Sequence, residues 1–261
     1  MFNLSPEEEI NLDILRIQLE SYAKIMQISE KVYLTMDPFE KQNACAASNS
    51  RGNAVAIGRV WLKGYMNDTS KKIELIKLID NFSDDPECLV SKFQNLTSHE
   101  KNHLQNLMSD TEFEISDEEI ESVLFHELGH IKLKHFSKMQ WVQWGNKTLT
   151  VLGSGGLLYL ISEIGIDTLY SRLILTAGAV SLRALTILIP SFWSKKFEKE
   201  ADQQGRISER IFKGEFRLHK RSIIKDLLNG KNINTSNPSH PNDLDRLKDA
   251  NHYKRNLFPS K

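Results

Sequence analysis

The sequence has few cysteines and no excess of charge of either sign. Only two cysteines, Cys45 and Cys88, occur among its 261 residues. They are too few for a disulfide framework and lack the Cys-x-x-Cys spacing of a metal site, so we expect two small buried residues. The 34 Lys and Arg residues balance the 34 Asp and Glu residues. We expect no nucleic-acid partner, because attraction to phosphate needs an excess of positive charge.

The N-terminal residues also lack the basic start and the apolar run of a secretory signal, so we expect a protein that is not secreted. Ser5, Pro6 and Glu8 instead form the capping box of a helix. Alternating apolar residues then predict one strand over residues 32–37, and residues 54–62 predict a second. The pattern as a whole predicts one α+β domain over residues 1–261, mostly helical with a small sheet.

One metal-binding motif, His-Glu-x-x-His, occurs twice, at His99 to His103 and at His126 to His130. Histidines four residues apart on a helix lie on one face and can bind one zinc ion. Such a helix must bury its opposite face to hold the histidines in place. The second copy has Leu and Gly at its variable positions, which suit burial, whereas the first copy has Lys and Asn, which do not. We predict that the first pair is solvated. The alternative for the second copy is an amphipathic helix without metal.

A third ligand is expected downstream, because zinc in a hydrolase usually has three protein ligands and an open position. Glu198 and Asp202 lie four residues apart and share a helical face. One carboxylate suits a metal ligand, and the other suits a partner that orients a ligand histidine through its second ring nitrogen. By composition alone, residues 194–202 also fit the charged start of an ordinary helix.

The order of these motifs resembles that of the HtpX and CAAX prenyl protease family of zinc metallopeptidases. The shared motifs, between residues 30 and 250, are Asn43-Ala44-x-Ala46, His126-Glu127-Leu128-Gly129-His130, Ser194-Lys-Lys-Phe-Glu198-x-x-Ala201-Asp202, and His240-Pro241 with Arg246. The resemblance implies a zincin-type fold of the gluzincin group, with one zinc ion per chain bound by His126, His130 and Glu198. Glu127 is then the catalytic base, and Asp202 contacts a ligand histidine.

The same resemblance suggests roles for two further residues and for one strand. His240 is a candidate for contact with zinc or with the oxyanion formed during hydrolysis. Arg246 is a candidate for anchoring the loop that carries His240. The alternative is a surface loop and a surface arginine. Residues 54–62 are expected to pair with an extended substrate if they lie at a sheet edge. Two residues depart from the family pattern, Lys195 in place of arginine and Cys45 in place of an aromatic residue.

An apolar insert separates the second histidine from the third ligand. Residues 148–194 hold only four charged residues in 47, namely Glu163, Asp167, Arg172 and Arg183. They predict a helical hairpin. Its first uncharged run, residues 148–162, would span about 22 Å as a helix, less than a bilayer core of about 30 Å, which favours a hairpin buried in a soluble protein or lying at an interface. Lysines on both flanks favour a membrane-attached protein with a cytoplasmic catalytic domain.

Together these features predict a zinc metalloendopeptidase that cleaves polypeptides, with membrane-associated or misfolded proteins as substrates. A catalytically silent relative that binds a partner through the zinc scaffold is one alternative, and the intact Glu127 argues against it. A membrane adaptor without metal is the other, and one tightly bound zinc ion per chain would exclude it.

The choice between the two His-Glu-x-x-His copies can be tested directly. We expect His99→Ala and His103→Ala to leave the zinc content at one ion per chain, measured by metal analysis of the purified protein. The same substitution at His126 should abolish stoichiometric zinc. Loss of zinc in the His99 or His103 variant would show that the metal-binding copy had been assigned wrongly.

Overall fold

The computed structural model describes residues 4–37, 44–49, 52–109, 115–164, 169–233 and 240–257. Within these ranges the elements are α1 (Pro6–Ile25), β1 (Val32–Asp37), β2 (Ala44–Asn49), β3 (Gly52–Gly58), α2 (Arg59–Gly64), α3 (Ser70–Asp80), α4 (Pro86–Gln94), α5 (Ser98–Leu107), α6 (Asp117–Lys132), α7 (His135–Ile164), α8 (Leu169–Gly205), α9 (Glu209–Leu228) and α10 (Asp243–Leu257). The predicted fold class, mostly helical α+β with a small sheet, is confirmed.

The sheet has three strands, with β3 in the middle, parallel to β1 and antiparallel to β2. Val55 is therefore flanked by Leu34 on one side and by Ala46 on the other. A strand is present as predicted, but it ends at Gly58 and both of its edges are paired, so the condition for substrate pairing by residues 54–62, a sheet edge, is not met. The outer strand β2 was not expected, since its small and polar residues have weak strand propensity and pairing with β3 holds them extended.

Both cysteines are exposed, which corrects the expectation that they are buried. Cys45 lies on the outer strand β2, and Cys88 lies in the first turn of α4. Pro86 in that turn is buried, whereas Glu87 and Cys88 are exposed, and the N-cap carboxylate of Asp85 accepts a hydrogen bond from the Cys88 N–H at 3.0 Å.

A capping box begins α1, as the sequence predicts, and a second one begins α6. The backbone N–H of Ser5 donates to Glu8 at 2.7 Å, and that of Ser116 donates to Glu119 at 2.7 Å. Glu119 is fully buried and also accepts two hydrogen bonds from Arg221 of α9, at 2.6 and 2.9 Å. The start of α6 is thus fixed both by its own sequence and by a helix that comes much later in the chain.

Two hydrophobic clusters enclose α6 and α9. One lies between α1, the sheet and α6, and the other between α3, α4, α5, α9 and α10. Neighbouring residues of α9 join them, since Ile211 belongs to the first cluster and Phe212 to the second. Arg217, also on α9, is buried and donates to Asp80 at 2.6 Å and to Glu118 at 3.1 Å. These contacts hold α6 on two sides.

Helices α7 and α8 pack against each other in antiparallel fashion. Gly153 lies against Leu182, Gly178 lies against Leu157, and the side-chain amide of Asn146 donates to a carbonyl of α8 at 2.9 Å. The connection at residues 165–168, which includes Asp167, falls outside the described residues. Both helices continue beyond the predicted insert, so residues 194–202 form the end of α8 and are not the start of a helix. No helix-ending residue separates the apolar run from this charged run, and Pro190 is accommodated within the helix.

The outer faces of this hairpin are apolar and exposed. The large exposed side chains include Trp141, Trp144, Val151, Leu152, Leu158, Tyr159, Leu169, Leu173, Val180, Ile187, Leu188 and Phe192. By length and composition alone, residues 171–205 of α8 could cross a membrane, and none of the most apolar window is buried within the chain. Among the described residues, the apolar window of α8 is therefore not buried against the rest of the chain.

The packing of α9 on α6 gives a stability prediction. A β-carbon at Gly214 would lie 2.0 Å from the carbonyl oxygen of Glu118, so Gly214→Ala must push the helices apart. We expect a loss of about 3 kcal/mol in the free energy of unfolding, measured by urea titration. Gly145→Ala is the matched control, because nothing lies within 4 Å of its added carbon, and it should change stability by less than about 1 kcal/mol. Equal stabilities for the two variants would contradict the packing.

Candidate metal centre

Helices α6 and α8 approach each other closely at a glycine. A β-carbon at Gly129 would lie 2.8 Å from the carbonyl oxygen of Ala201 and 3.0 Å from its Cα. At Gly205, one turn further along α8, a β-carbon would lie 3.3 Å from the backbone nitrogen of His126. The absence of side chains at these two glycines lets α8 pass directly beside the His-Glu-x-x-His motif. Residues on the facing side of α8 therefore reach the histidines.

Three donor groups converge at this crossing. Nε2 of His126 lies 3.1 Å from Nε2 of His130 and 3.3 Å from Oε2 of Glu198. Nε2 of His130 lies 3.6 Å from Oε1 of Glu198. Ligand atoms about 2.0–2.1 Å from a tetrahedral zinc ion lie about 3.3 Å from one another. The donor types and their separations therefore fit a zinc ion with three protein ligands.

The second ring nitrogen of His126 is held by a buried carboxylate. Nδ1 of His126 lies 2.7 Å from Oδ1 of Asp202. Arg246 of α10 donates its Nε to the other oxygen of Asp202 at 3.0 Å and its Nη2 to Oδ1. A proton on Nδ1 of His126 then leaves the Nε2 lone pair directed at the other donors. Arg246 balances the charge of the carboxylate.

The charges around the histidines affect them differently. Burial alone would lower the pKa of His126, but Asp202 and Glu198 raise it to about 10. Burial and the positive charge of His126 lower the pKa of His130 to about 3. Because imidazole binds a metal only in its neutral form, His130 is already in that form, whereas His126 must lose its Nε2 proton when a metal ion binds.

Glu127 is buried between α6 and the outer strand of the sheet. Its side chain is contacted by β2, where the backbone N–H of Ala46 donates to the carboxylate. Burial raises the pKa of Glu127, although the charge of His126 and the hydrogen bond from Ala46 act in the opposite direction. A carboxyl group with a raised pKa is suited to accept and release a proton near neutral pH.

A cleft of about 910 Å³ opens over these residues. One wall is β2, and the others come from α6, α8 and the residues before α10. His240 lies at the rim, half exposed, with Nδ1 3.3 Å from Oε2 of Glu198. The hydrogen bond to Glu198 raises the pKa of His240. The cleft is thus open to solvent above the three donors.

A comparison with protein families matches residues 22–254 to the family described as Peptidase family M48. The chain belongs to peptidase family M48. This family includes HtpX and CAAX protease-type zinc metallopeptidases, so the resemblance seen in the sequence is confirmed, and the protein is a metalloprotease. Comparisons with curated proteins and with solved structures found no match.

All the site residues expected from the sequence of this M48 peptidase lie around one cleft. They are His126, Glu127, His130, Glu198, Asp202, His240 and Arg246. The first His-Glu-x-x-His copy lies elsewhere, on α5, with both histidines exposed and Nε2 of His103 2.9 Å from Glu74. In the part of the chain that the structure describes, only the second copy belongs to a group of side chains that could hold a metal ion.

Two contributors to the M48 site were not found from the sequence. His135 is buried, with Nδ1 2.9 Å from Nδ1 of His130. The strand β2 forms the wall beside Glu127, although only its Asn-Ala-x-Ala motif had been noted, and Asn43 lies outside the described residues. The available signal for His135 was its position only five residues after a metal-ligand candidate.

Proposed function

We propose that this M48 metalloprotease is a zinc-dependent endopeptidase in which Glu127 is the general base. The observation that supports the proposal most strongly is the convergence of three donor atoms from α6 and α8 beside a buried glutamate. His126, His130 and Glu198 are the proposed ligands, and Asp202 orients His126. Zinc, when bound, supplies a Lewis acid that polarises the scissile carbonyl and acidifies a water molecule.

The side chains of this site suit the proton transfers of hydrolysis. Glu127 takes the proton of the attacking water and delivers it to the leaving amine, for which its raised pKa is favourable. The N–H of Ala46 holds the carboxylate in place. His240, at the rim and beside Glu198, is positioned to donate a hydrogen bond to the developing oxyanion. Arg246 acts indirectly, by holding Asp202.

The outer strand β2 is the proposed binding edge for an extended polypeptide. Ala46 directs its N–H at Glu127, away from β3. Because backbone groups alternate along a strand, those of Ala44 and Ser48 point the same way. A peptide that pairs with this edge would lie along the cleft, next to the three donors. This assigns to β2 the role that was expected of residues 54–62.

A binding protein without activity is the main alternative, and Glu127→Gln distinguishes it from an enzyme. We expect the variant to retain one zinc ion per chain and to lose at least about 100-fold in the rate of casein cleavage, because an amide cannot accept the proton. Metal analysis and a proteolysis assay on the same preparations measure both quantities. Cleavage by the variant at the wild-type rate would refute the role of Glu127. Absence of zinc from the wild-type protein would refute the metal site.

The exposed hairpin suggests that the enzyme works at a membrane. An apolar surface of this extent needs a cover, and Trp141 and Trp144 at its base suit the interface between lipid and water. Lysines follow α6 and also flank Glu198, at the end of the hairpin nearest the cleft. We therefore place the hairpin of residues 148–194 in the membrane and the cleft on its cytoplasmic side, where membrane-associated or misfolded proteins would be cleaved.

Vesicle flotation tests this setting. We expect the wild-type protein to float with vesicles of phosphatidylcholine and phosphatidylglycerol. Leu158→Arg combined with Val180→Arg should lower the bound fraction at least about tenfold, because each charge costs about 3 kcal/mol within the bilayer core. Ile17→Arg is the control, since this equally exposed apolar residue lies on α1, away from the hairpin. Equal flotation of the double variant and the control would contradict membrane insertion.

A further inference from the structure

The second ring nitrogen of His130 faces a histidine that has no role in the mechanism above. The Nδ1 atoms of His130 and His135 are 2.9 Å apart. His135 is 3% exposed, and its ring stacks on Phe197 with a centroid separation of 4.5 Å and an angle of 16°. Its Nε2 lies 3.1 Å from Oε2 of Glu200. His130, His135 and Glu200 therefore form a chain of hydrogen-bonding groups that leads from the cleft to the surface.

The positions of the protons in this chain follow from the metal site. A hydrogen bond between two ring nitrogens requires a proton on one and a lone pair on the other. If Nε2 of His130 binds zinc, its proton lies on Nδ1, which donates to Nδ1 of His135. The proton of His135 then lies on Nε2, where the carboxylate of Glu200 accepts it. Each N–H in the chain has an acceptor in this arrangement.

The backbone brings His135 back toward the end of α6. Lys134 has a φ of 55°, an uncommon conformation for a residue with a side chain, and it lies between α6 and α7. Its carbonyl accepts the hydrogen bond that opens α7, from Lys138 at 3.1 Å. Phe197 and Glu200 are three residues apart on α8, so they share a face and meet the ring and the nitrogen of His135 together. Three elements thus fix one imidazole.

We propose that His135 is a positioning residue of the metal centre, which accepts the hydrogen bond of His130 and so fixes the orientation and the tautomer of that ligand. His135 would accept the hydrogen bond from Nδ1 of His130, just as Asp202 accepts the one from Nδ1 of His126. The inference rests on the proposed zinc site. The proposal predicts that zinc affinity depends more on a hydrogen-bond acceptor at the position of Nδ1 than on the aromatic ring of residue 135.

Three substitutions separate the hydrogen bond from the packing. His135→Asn places an amide oxygen near the position of Nδ1, His135→Gln places its polar group near Nε2, and His135→Phe retains the ring that stacks on Phe197 without any nitrogen. The zinc dissociation constant is measured by competition with a chromogenic chelator. Thermal unfolding of the zinc-free protein reports on packing alone. His103→Phe is the control, because that exposed histidine lies on α5.

We expect the Phe and Gln variants to bind zinc roughly 10- to 100-fold more weakly than wild type, as is typical when a partner of a ligand histidine is lost. The zinc dissociation constant of His135→Asn should remain within about threefold of the wild-type value, and that of the His103→Phe control should equal it. Equal affinities for the Asn and Phe variants would overturn the proposal, as would wild-type affinity in all three. If the Phe variant does not fold without zinc, the Asn and Gln variants are compared instead, and equal zinc affinities for these two would overturn the proposal. A wild-type protein that binds no zinc would instead refute the proposed function.

Discussion

The close crossing of α6 and α8 is the constraint on which the rest of the site depends. At Gly129 the two helices are so near that a β-carbon would lie within 3.0 Å of the backbone of Ala201. This approach places Glu198, about one turn before Ala201, and Asp202, the residue after it, next to the two histidines of α6. The hydrophobic cluster around α1 and the sheet, and the ion pairs from α9, hold α6 in place for this contact. Without them the crossing would have no fixed geometry.

Around that crossing, the buried polar groups are paired in a way that fixes the two histidines proposed as ligands. A buried carboxylate is costly unless it is compensated, and Asp202 is compensated by His126 on one side and by Arg246 on the other. On the opposite side of the site, His130 is in contact with His135. Each of these two histidines therefore has one nitrogen directed at the other donors and one that is held by a neighbour.

The parts of this site that follow a local rule could be predicted from the sequence. Helical spacing placed His126 and His130 on one face and paired Glu198 with Asp202, and the resemblance to a known family then assigned roles to the two carboxylates. The unpredicted parts depend on packing between distant segments. His135 reaches His130 because the backbone turns at Lys134, and β2 is a strand because it pairs with β3. No local pattern in either segment encodes these contacts, since they arise only once the helices and strands have packed together.

The continuity of α8 links the hairpin to the site mechanically. The same helix begins within the exposed apolar hairpin and ends at Gly205, so Glu198 and Asp202 lie on the extension of a membrane-length helix. A tilt at one end of an α-helix moves the other end as long as the helix does not bend between them. Pro190 lies between the two regions, and because proline removes one backbone hydrogen bond, it is the position at which a bend would cost least. The orientation of the hairpin and the distance from Glu198 to the histidines are therefore coupled through the backbone of α8. A bend at Pro190 would weaken this coupling.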